Sequence, residues 1–387
     1  MTLKKLLAIS IAVLAFLQGY AQQKDISALD TGTITNYSAY KRSLSFAGLL
    51  QTRYLASVTK NVDVNGKQFD PAASTKGITN SFLIKRARLQ VKANVNDHFS
   101  ANFMINFAEF NTEPANKVLE NAYIKYSLNK YFNIQAGQFR PFFGIEDAMP
   151  VDIIRTLDYS NQYYAFGSNG WQSFQIGVSI YGNITKEDDD LPMRYYTGVY
   201  NGNNRNQALD NDNSKNAYAR IEADLNKTTT IGLNAAIGSQ GSGTGNAIGA
   251  DIITRFSLST KWKLLLGGEF KNGTSFTTYK ADTATSKPGL SQYRMQGFYV
   301  FPILRYEPKR PRIRALELSS RYEYFDETYK QNSNPRQTII PNFTWIFADN
   351  LYAALQMGVA IDLYKNKVPL TTVNNHGLAY VQLQVRF

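Results

Sequence analysis

From about residue 43 to the C-terminus, apolar side chains recur at every second position in short blocks, with polar or charged residues between them. In 119–139, Ala122, Ile124, Tyr126 and Leu128 alternate with Asn121, Lys125 and Ser127. Asn129-Lys130 reverses the chain, and Phe132, Ile134 and Ala136 alternate with Asn133, Gln135 and Gly137. A period of two describes a strand with two unlike faces. Pro141 ends this ladder because it has no N–H to donate. The pattern predicts sixteen strands. The 119–144 hairpin supplies the fourth and fifth; the others lie near 43–57, 81–96, 98–110, 173–183, 193–201, 216–226, 229–238, 247–259, 261–271, 293–306, 312–326, 337–347, 350–362 and 376–387. The twelfth is the least regular, because Pro302 interrupts it.

Most of these strands are long enough to cross a bilayer when tilted. Their connections alternate in length. Long ones fall at 58–80, 141–172, 202–215, 272–292 and 363–375, and short ones at Asn96-Asp97, Asn129-Lys130, Asn226-Lys227, Ser259-Thr260 and Asp349. The 184–192 turn is long for its side and the 239–246 loop short. Sorting of this kind marks an outer-membrane barrel, with short turns and both termini on the periplasmic side. A soluble sandwich has no reason to sort its loops.

The N-terminus supports export. Lys4 and Lys5 precede an apolar run, Leu6 to Leu17, and Gly19-Tyr20-Ala21 supplies small residues for cleavage. The run is too short for a membrane-spanning helix and reads as a signal peptide over 1–21, followed by a short periplasmic lead over 22–42 and a barrel over 43–387. The chain has no Cys, which excludes disulfides and an N-terminal lipid anchor on cysteine. Tyr 25, Phe 23 and Trp 3 suit the aromatic girdles of a barrel at the membrane interfaces.

Net charge is +12, or +10 without Lys4 and Lys5. With the apolar phase facing lipid, the opposite phase faces an aqueous lumen. Thirteen basic residues fall on that phase against seven acidic ones, and the first five strands contribute five bases and no acid. Arg86, Arg88 and Lys92 form a column, joined by Arg53 and Lys125; Arg220, Arg255 and Arg321 follow on later strands. A basic wall concentrates anions and eases their dehydration, and the guanidinium fork matches phosphate or carboxylate oxygens. The competing reading is that lumen charges pair with one another to hold the barrel's shape.

Several stretches resemble the phosphate-selective porins O and P of Gram-negative outer membranes: Lys85-Arg86-Ala87-Arg88-Leu89, Asn121-Ala122-Tyr123-Ile124-Lys125-Tyr126, Gly137-Gln138-Phe139-Arg140 with Phe143-Gly144, Tyr200-Asn201-Gly202, Gly249-Ala250-Asp251, Arg321-Tyr322, and the alternating tail ending in Phe387. The resemblance implies a sixteen-stranded barrel, a homotrimer, and a third loop folded into the pore, placing Arg140 and Arg155 there. The tail is similar to the signal read by the barrel-insertion machinery. Outer-membrane lipid, lipopolysaccharide and small anionic solutes are the other expected partners. The chain departs from the family pattern at Asn121, where an acidic residue is more usual, and at Pro141 and Phe142. Loop 141–172 also sets Arg155 against Glu146, Asp147, Asp152 and Asp158, an acidic balance for a phosphate-selective constriction.

No cofactor, metal site or covalent chemistry is expected. His98 and His376 lack ligand or triad spacing. Gly241-Ser-Gly-Thr-Gly245 lacks the Lys and helix of a phosphate cradle, and Glu187-Asp188-Asp189-Asp190 reads as a solvated turn. Bases interleaved on strands of an exported chain argue against nucleic acid. The expected function is passive diffusion of small anions, with phosphate or pyrophosphate foremost. A general or organic-anion porin is the alternative within transport, and a structural or adhesion barrel the alternative outside it.

Overall fold

The computed structural model describes residues 42–387 apart from 75–76, 112–116, 150–153, 187–188, 208, 211 and 309. The expected signal peptide and the lead up to residue 41 lie outside the described residues, as do Asp152, Glu187 and Asp188.

Sixteen antiparallel strands close into one barrel, each paired with its sequence neighbours and β1 with β16. They are β1 (Ser43–Ser57), β2 (Asn80–Asn94), β3 (Phe99–Asn106), β4 (Leu119–Asn129), β5 (Phe132–Phe139), β6 (Gln175–Asn183), β7 (Met193–Tyr200) and β8 (Asn216–Asn226). The second half comprises β9 (Thr229–Ser239), β10 (Thr244–Ser257), β11 (Trp262–Thr274), β12 (Arg294–Tyr306), β13 (Ala315–Asp326), β14 (Arg336–Ala348), β15 (Ala353–Tyr364) and β16 (His376–Arg386). β3 is shorter than its alternation suggested, because Phe107–Asn111 turns into a 3-10 helix. β12 runs through Pro302: the residue still pairs with Leu266 of β11, while the ladder to β13 lapses at Phe301 and Pro302. A proline is tolerated where its missing N–H is not called on.

The short turns form for a local reason. Asn129 Oδ1 accepts from the N–H groups of Tyr131 and Phe132 at 2.8 and 3.0 Å, and Asn226 Oδ1 from that of Thr228 at 2.9 Å. Asn96 does the same for His98 and Phe99. These are Asx turns, in which a side chain stands in for the backbone acceptor of a tight reversal.

Alternation sorts the two faces as lipid and water require. Phe103, Ile124, Leu233 and Leu318 project outward and are exposed on the bare barrel, which is the lipid-facing band. Aromatic pairs Phe99–Tyr126 and Trp262–Tyr306, with ring centroids 4.9 and 4.7 Å apart, sit across neighbouring strands at the short-turn end. The inner face is polar and hydrogen-bonded, as in Gln51–Gln384 at 2.6 Å and Gln382–Gln356 at 2.8 Å.

Among the described residues the register shifts at five places, and two of these shifts move a charged residue to the inner face. Between β1 and β2 the register passes from Gln51↔Arg86 to Thr52↔Ile84, leaving Lys85 as the extra residue. Between β3 and β4 it passes from Met104↔Asn121 to Ile105↔Leu119, leaving Glu120. A bulge resets which side chains face inward. It brings Lys85 into the lumen beside Arg86, and Glu120 in beside Arg88, so the first five strands do carry a lumen acid.

Candidate functional site

The connection from β5 to β6 enters the lumen. Two glycines with backbones that favour no other residue stand at its start, Gly137 within β5 at φ 126° and Gly144 in the loop at φ 111°. Two short helices follow, α1 (Ile145–Ala148) and α2 (Asn161–Ser168), the second capped by Ser160 Oγ accepting from Tyr163 N–H. On one side the loop packs an apolar cluster against the wall: Phe143, Phe166 and Trp171 meet Tyr200, Tyr218, Phe276 and Met295. Trp171 Nε1 donates to the Thr274 carbonyl at 2.8 Å. On the other side it crosses to β1, β2, β13 and β14. There Arg321 donates to Thr156 Oγ1 at 2.9 Å and to the Tyr159 carbonyl at 3.3 Å, and Asn342 donates to the Arg155 carbonyl at 3.1 Å.

Asp158 is the centre of that crossing. Its carboxylate meets Arg86 at 2.6 Å, Arg53 at 3.1 Å and Lys85 at 3.5 Å. Burial alone would push this carboxyl up; Arg86, Lys85 and Arg53 outweigh burial and hold it well below the usual carboxylate range. Three cations thus share one fixed anion. The two other described loop acids, Glu146 and Asp147, are turned inward. Glu146 accepts from Ser160 N–H at 2.6 Å and Ser160 Oγ at 2.5 Å, and Asp147 from Gln172 at 3.0 Å. Burial, then the neighbouring Glu269, pushes Glu146 up to about 7. Burial likewise pushes Asp147 up to about 7 against the pull of Lys271 and Arg140. Glu146, Asp147 and Asp158 therefore serve as internal scaffolding for the loop and its crossing.

Loop and wall leave two chambers. On the long-loop side a cavity of about 590 Å³ is lined by Lys85, Arg86, Arg88, Lys117 and Arg205, with Glu109 and Glu120 as its acids and Tyr159, Tyr163 and Tyr164 on the loop side. On the short-turn side a cavity of about 400 Å³ is lined by Arg155, Arg255, Arg321 and Arg386, with Glu146 the only carboxylate among the described residues.

The residues singled out in the sequence fall into two groups. Arg53, Arg140, Arg220 and Arg321 have their donors occupied. Arg53 bonds Gln382 and Asp158. Arg220 lies between Glu222, Asp251 and Asn234 in the wall of β8 to β10. Arg140, expected in the constriction, pins the loop's base through the carbonyls of Glu146 and Met149, both at 3.1 Å, and the Tyr159 hydroxyl. The others have a face on water. Arg86 and Arg88 border the outer chamber with forks largely spent on the protein, Arg86 donating to Gln51 at 2.9 Å and Asp158 at 2.6 Å, and Arg88 meeting both oxygens of Glu120 at 2.8 and 2.7 Å. Arg155 and Arg255 border the inner one. Lys125 lies 5.3 Å from the Tyr181 ring centroid, and Lys92 stands exposed near the short-turn end. Lys85, Glu120, Arg205 and the three loop tyrosines were not legible beforehand. Strict alternation places Lys85 and Glu120 on the lipid face, and a charge facing lipid would have been the one available signal of a bulge.

A closed barrel with an apolar outer band and its own loop across a charged lumen is an outer-membrane porin, a water-filled channel. The chain belongs to the phosphate-selective porin O and P family, whose sequence profile matches residues 57–387. No curated protein matches it by sequence. Among solved structures it is similar in fold to the outer-membrane channel DcaP of Acinetobacter baumannii (14% identity, TM-score 0.56, covering 89% of this chain and 97% of that one). It is also similar to an anion-selective porin from Comamonas acidovorans (11%, 0.56, 90% and 100%) and to OmpT of Vibrio cholerae in a trimer form (13%, 0.54, 89% and 99%).

Proposed function

We propose that this porin passes small anions by diffusion, phosphate and pyrophosphate among them. The observation that carries the reading is the excess of bases in the lining on both sides of the loop: five to two in the outer chamber and four to one in the inner. Positive walls of low dielectric raise local anion concentration and lower the barrier to anion entry. Lys85, Arg86, Arg88, Lys92, Lys125, Arg155 and Arg255 line the path in this reading. Arg53, Arg140, Arg220 and Arg321 hold its shape, which is the part played by lumen ion pairs. The apolar outer band meets lipid and lipopolysaccharide, and the trimer form of the OmpT neighbour supports a homotrimer.

Reversal potentials of the purified channel in a planar bilayer across a KCl gradient test the reading. Anion preference, with millimolar phosphate lowering chloride current, is expected. Cation preference would overturn it, and absence of conductance would favour a structural barrel.

A further inference from the structure

A water-filled barrel is polar at its inward positions. Strands β10, β11 and β12 depart from this together. Ile253, Leu265, Phe301 and Ile303 occupy inward positions, Leu265 directly opposite Ile303, while Ile252, Leu266 and Val300 carry the outward face. The departure is visible in the chain as Ile252-Ile253 and Leu264-Leu265-Leu266, doublets and triplets where alternation fails. None of the four is needed to anchor the loop, whose apolar cluster lies elsewhere. They form one wall of the inner chamber, and loop residues Met149 and Ile154 close it.

The same chamber holds cations with spare capacity. Arg255 is two residues from Ile253 and opposite Leu265; among the described residues its side chain has no ion-pair or hydrogen-bond partner. Arg155 meets Glu317 at 3.0 Å and keeps 32% of its side chain exposed. Both also line the adjoining cavity of about 430 Å³ toward the short-turn mouth.

We infer that the inner chamber is a subsite for organic anions that carry an apolar body: a carboxylate or phosphate ester on an aryl or short alkyl group. The head group lies against Arg255 and Arg155. The body covers Ile253, Leu265, Phe301 and Ile303, releasing water from apolar surface on both partners. Inorganic phosphate gains nothing from such a wall. The inference rests on the anion-channel reading and narrows it.

The test is block of chloride current through the full-length protein by naphthalene-2-carboxylate, with acetate as the equally charged probe without an aromatic body. Covering part of an aromatic ring is worth about five- to tenfold in affinity, so naphthoate should act at concentrations about five- to tenfold below acetate. L265N and I303N, each checked for wild-type KCl conductance, should close that gap and leave phosphate block unchanged. R255Q, at an exposed and unpaired position, should weaken both carboxylates. Equal potency of the two in wild type, or a gap that survives L265N and I303N, would overturn the subsite. Either result leaves ion preference intact, so it is distinguishable from failure of the anion reading, which shows in the reversal potential alone.

Discussion

Asp158→Asn removes the shared counter-charge of Arg53, Lys85 and Arg86 and leaves the side-chain volume in place. Deleting one partner of a buried ion pair costs roughly 3–5 kcal/mol. Asparagine keeps one acceptor oxygen and Asp158 is 14% exposed, so the cost here is about 2 kcal/mol. Arg321, Arg140 and the Trp171 cluster keep the loop in the lumen, and the main effect is electrostatic. One added positive charge about 8 Å from a passing ion, at an effective dielectric of about 40, changes its energy by about 1 kcal/mol. Screening at about 0.1 M salt halves this. The anion barrier falls and the cation barrier rises by a factor of about two each, so the anion-to-cation permeability ratio rises by about five. Reversal potentials under a KCl gradient read that ratio directly, and the effect should fade at about 1 M salt, where the Debye length is about 3 Å. An unchanged ratio at low salt, or a shift toward cations, would show that the three bases do not face the permeation path.

Four further outcomes follow from the loop and the strand before it. Glu146 and Asp147 are both raised to about 7 by burial. A carboxyl whose folded value exceeds its unfolded value of about 4 adds stability that is complete below about pH 4 and is lost as pH rises through about 7. Hydrogen exchange over 145–168, corrected for intrinsic rates, should therefore show stronger protection at pH 5 than at pH 8, with E146Q reducing the difference and Asp147 supplying what remains; equal protection in wild type would refute burial as the cause. The same ionisation puts negative charge in the lumen, so anion preference should weaken from pH 6 to 8. R140A strips donors from the Glu146 and Met149 carbonyls, at about 1–2 kcal/mol each, and should give larger and noisier single-channel currents. At Gly137 an added Cβ would sit 2.2 Å from the Ala122 carbonyl oxygen and 2.8 Å from Tyr123 Cα, both backbone, so G137A should lose the heat-modifiable folded band on a denaturing gel; a normal band would show that β4 and β5 can separate without loss of the barrel.

Much of the fold is legible along the chain. Ile124 facing lipid and Lys125 facing water are set by a period of two, and Asn129 turns the chain with its own side chain. Hydration of alternate faces and local turn chemistry act within a few residues, so a single strand already carries the information. The sites were less legible. A bulge at Lys85 or Glu120 is decided by the register of two strands, and one displaced residue inverts the face that alternation assigns.

Charge marks the sharper division. The order of residues is enough to set the barrel, its sixteen strands, the sorting of loops, and a lumen richer in bases than acids. Whether a given charge is free emerges only on folding. Asp158 looks like one acid among four in a loop, and folding places it against Arg53, Lys85 and Arg86, far apart in the chain from it. Glu146 and Asp147 disappear into the loop's own hydrogen bonds, while Arg255 is left facing water beside Ile253 and Leu265. Coulomb energy depends on distance and dielectric, and neither exists until a loop of more than thirty residues (141–174) has packed inside the barrel that its flanking strands help to close.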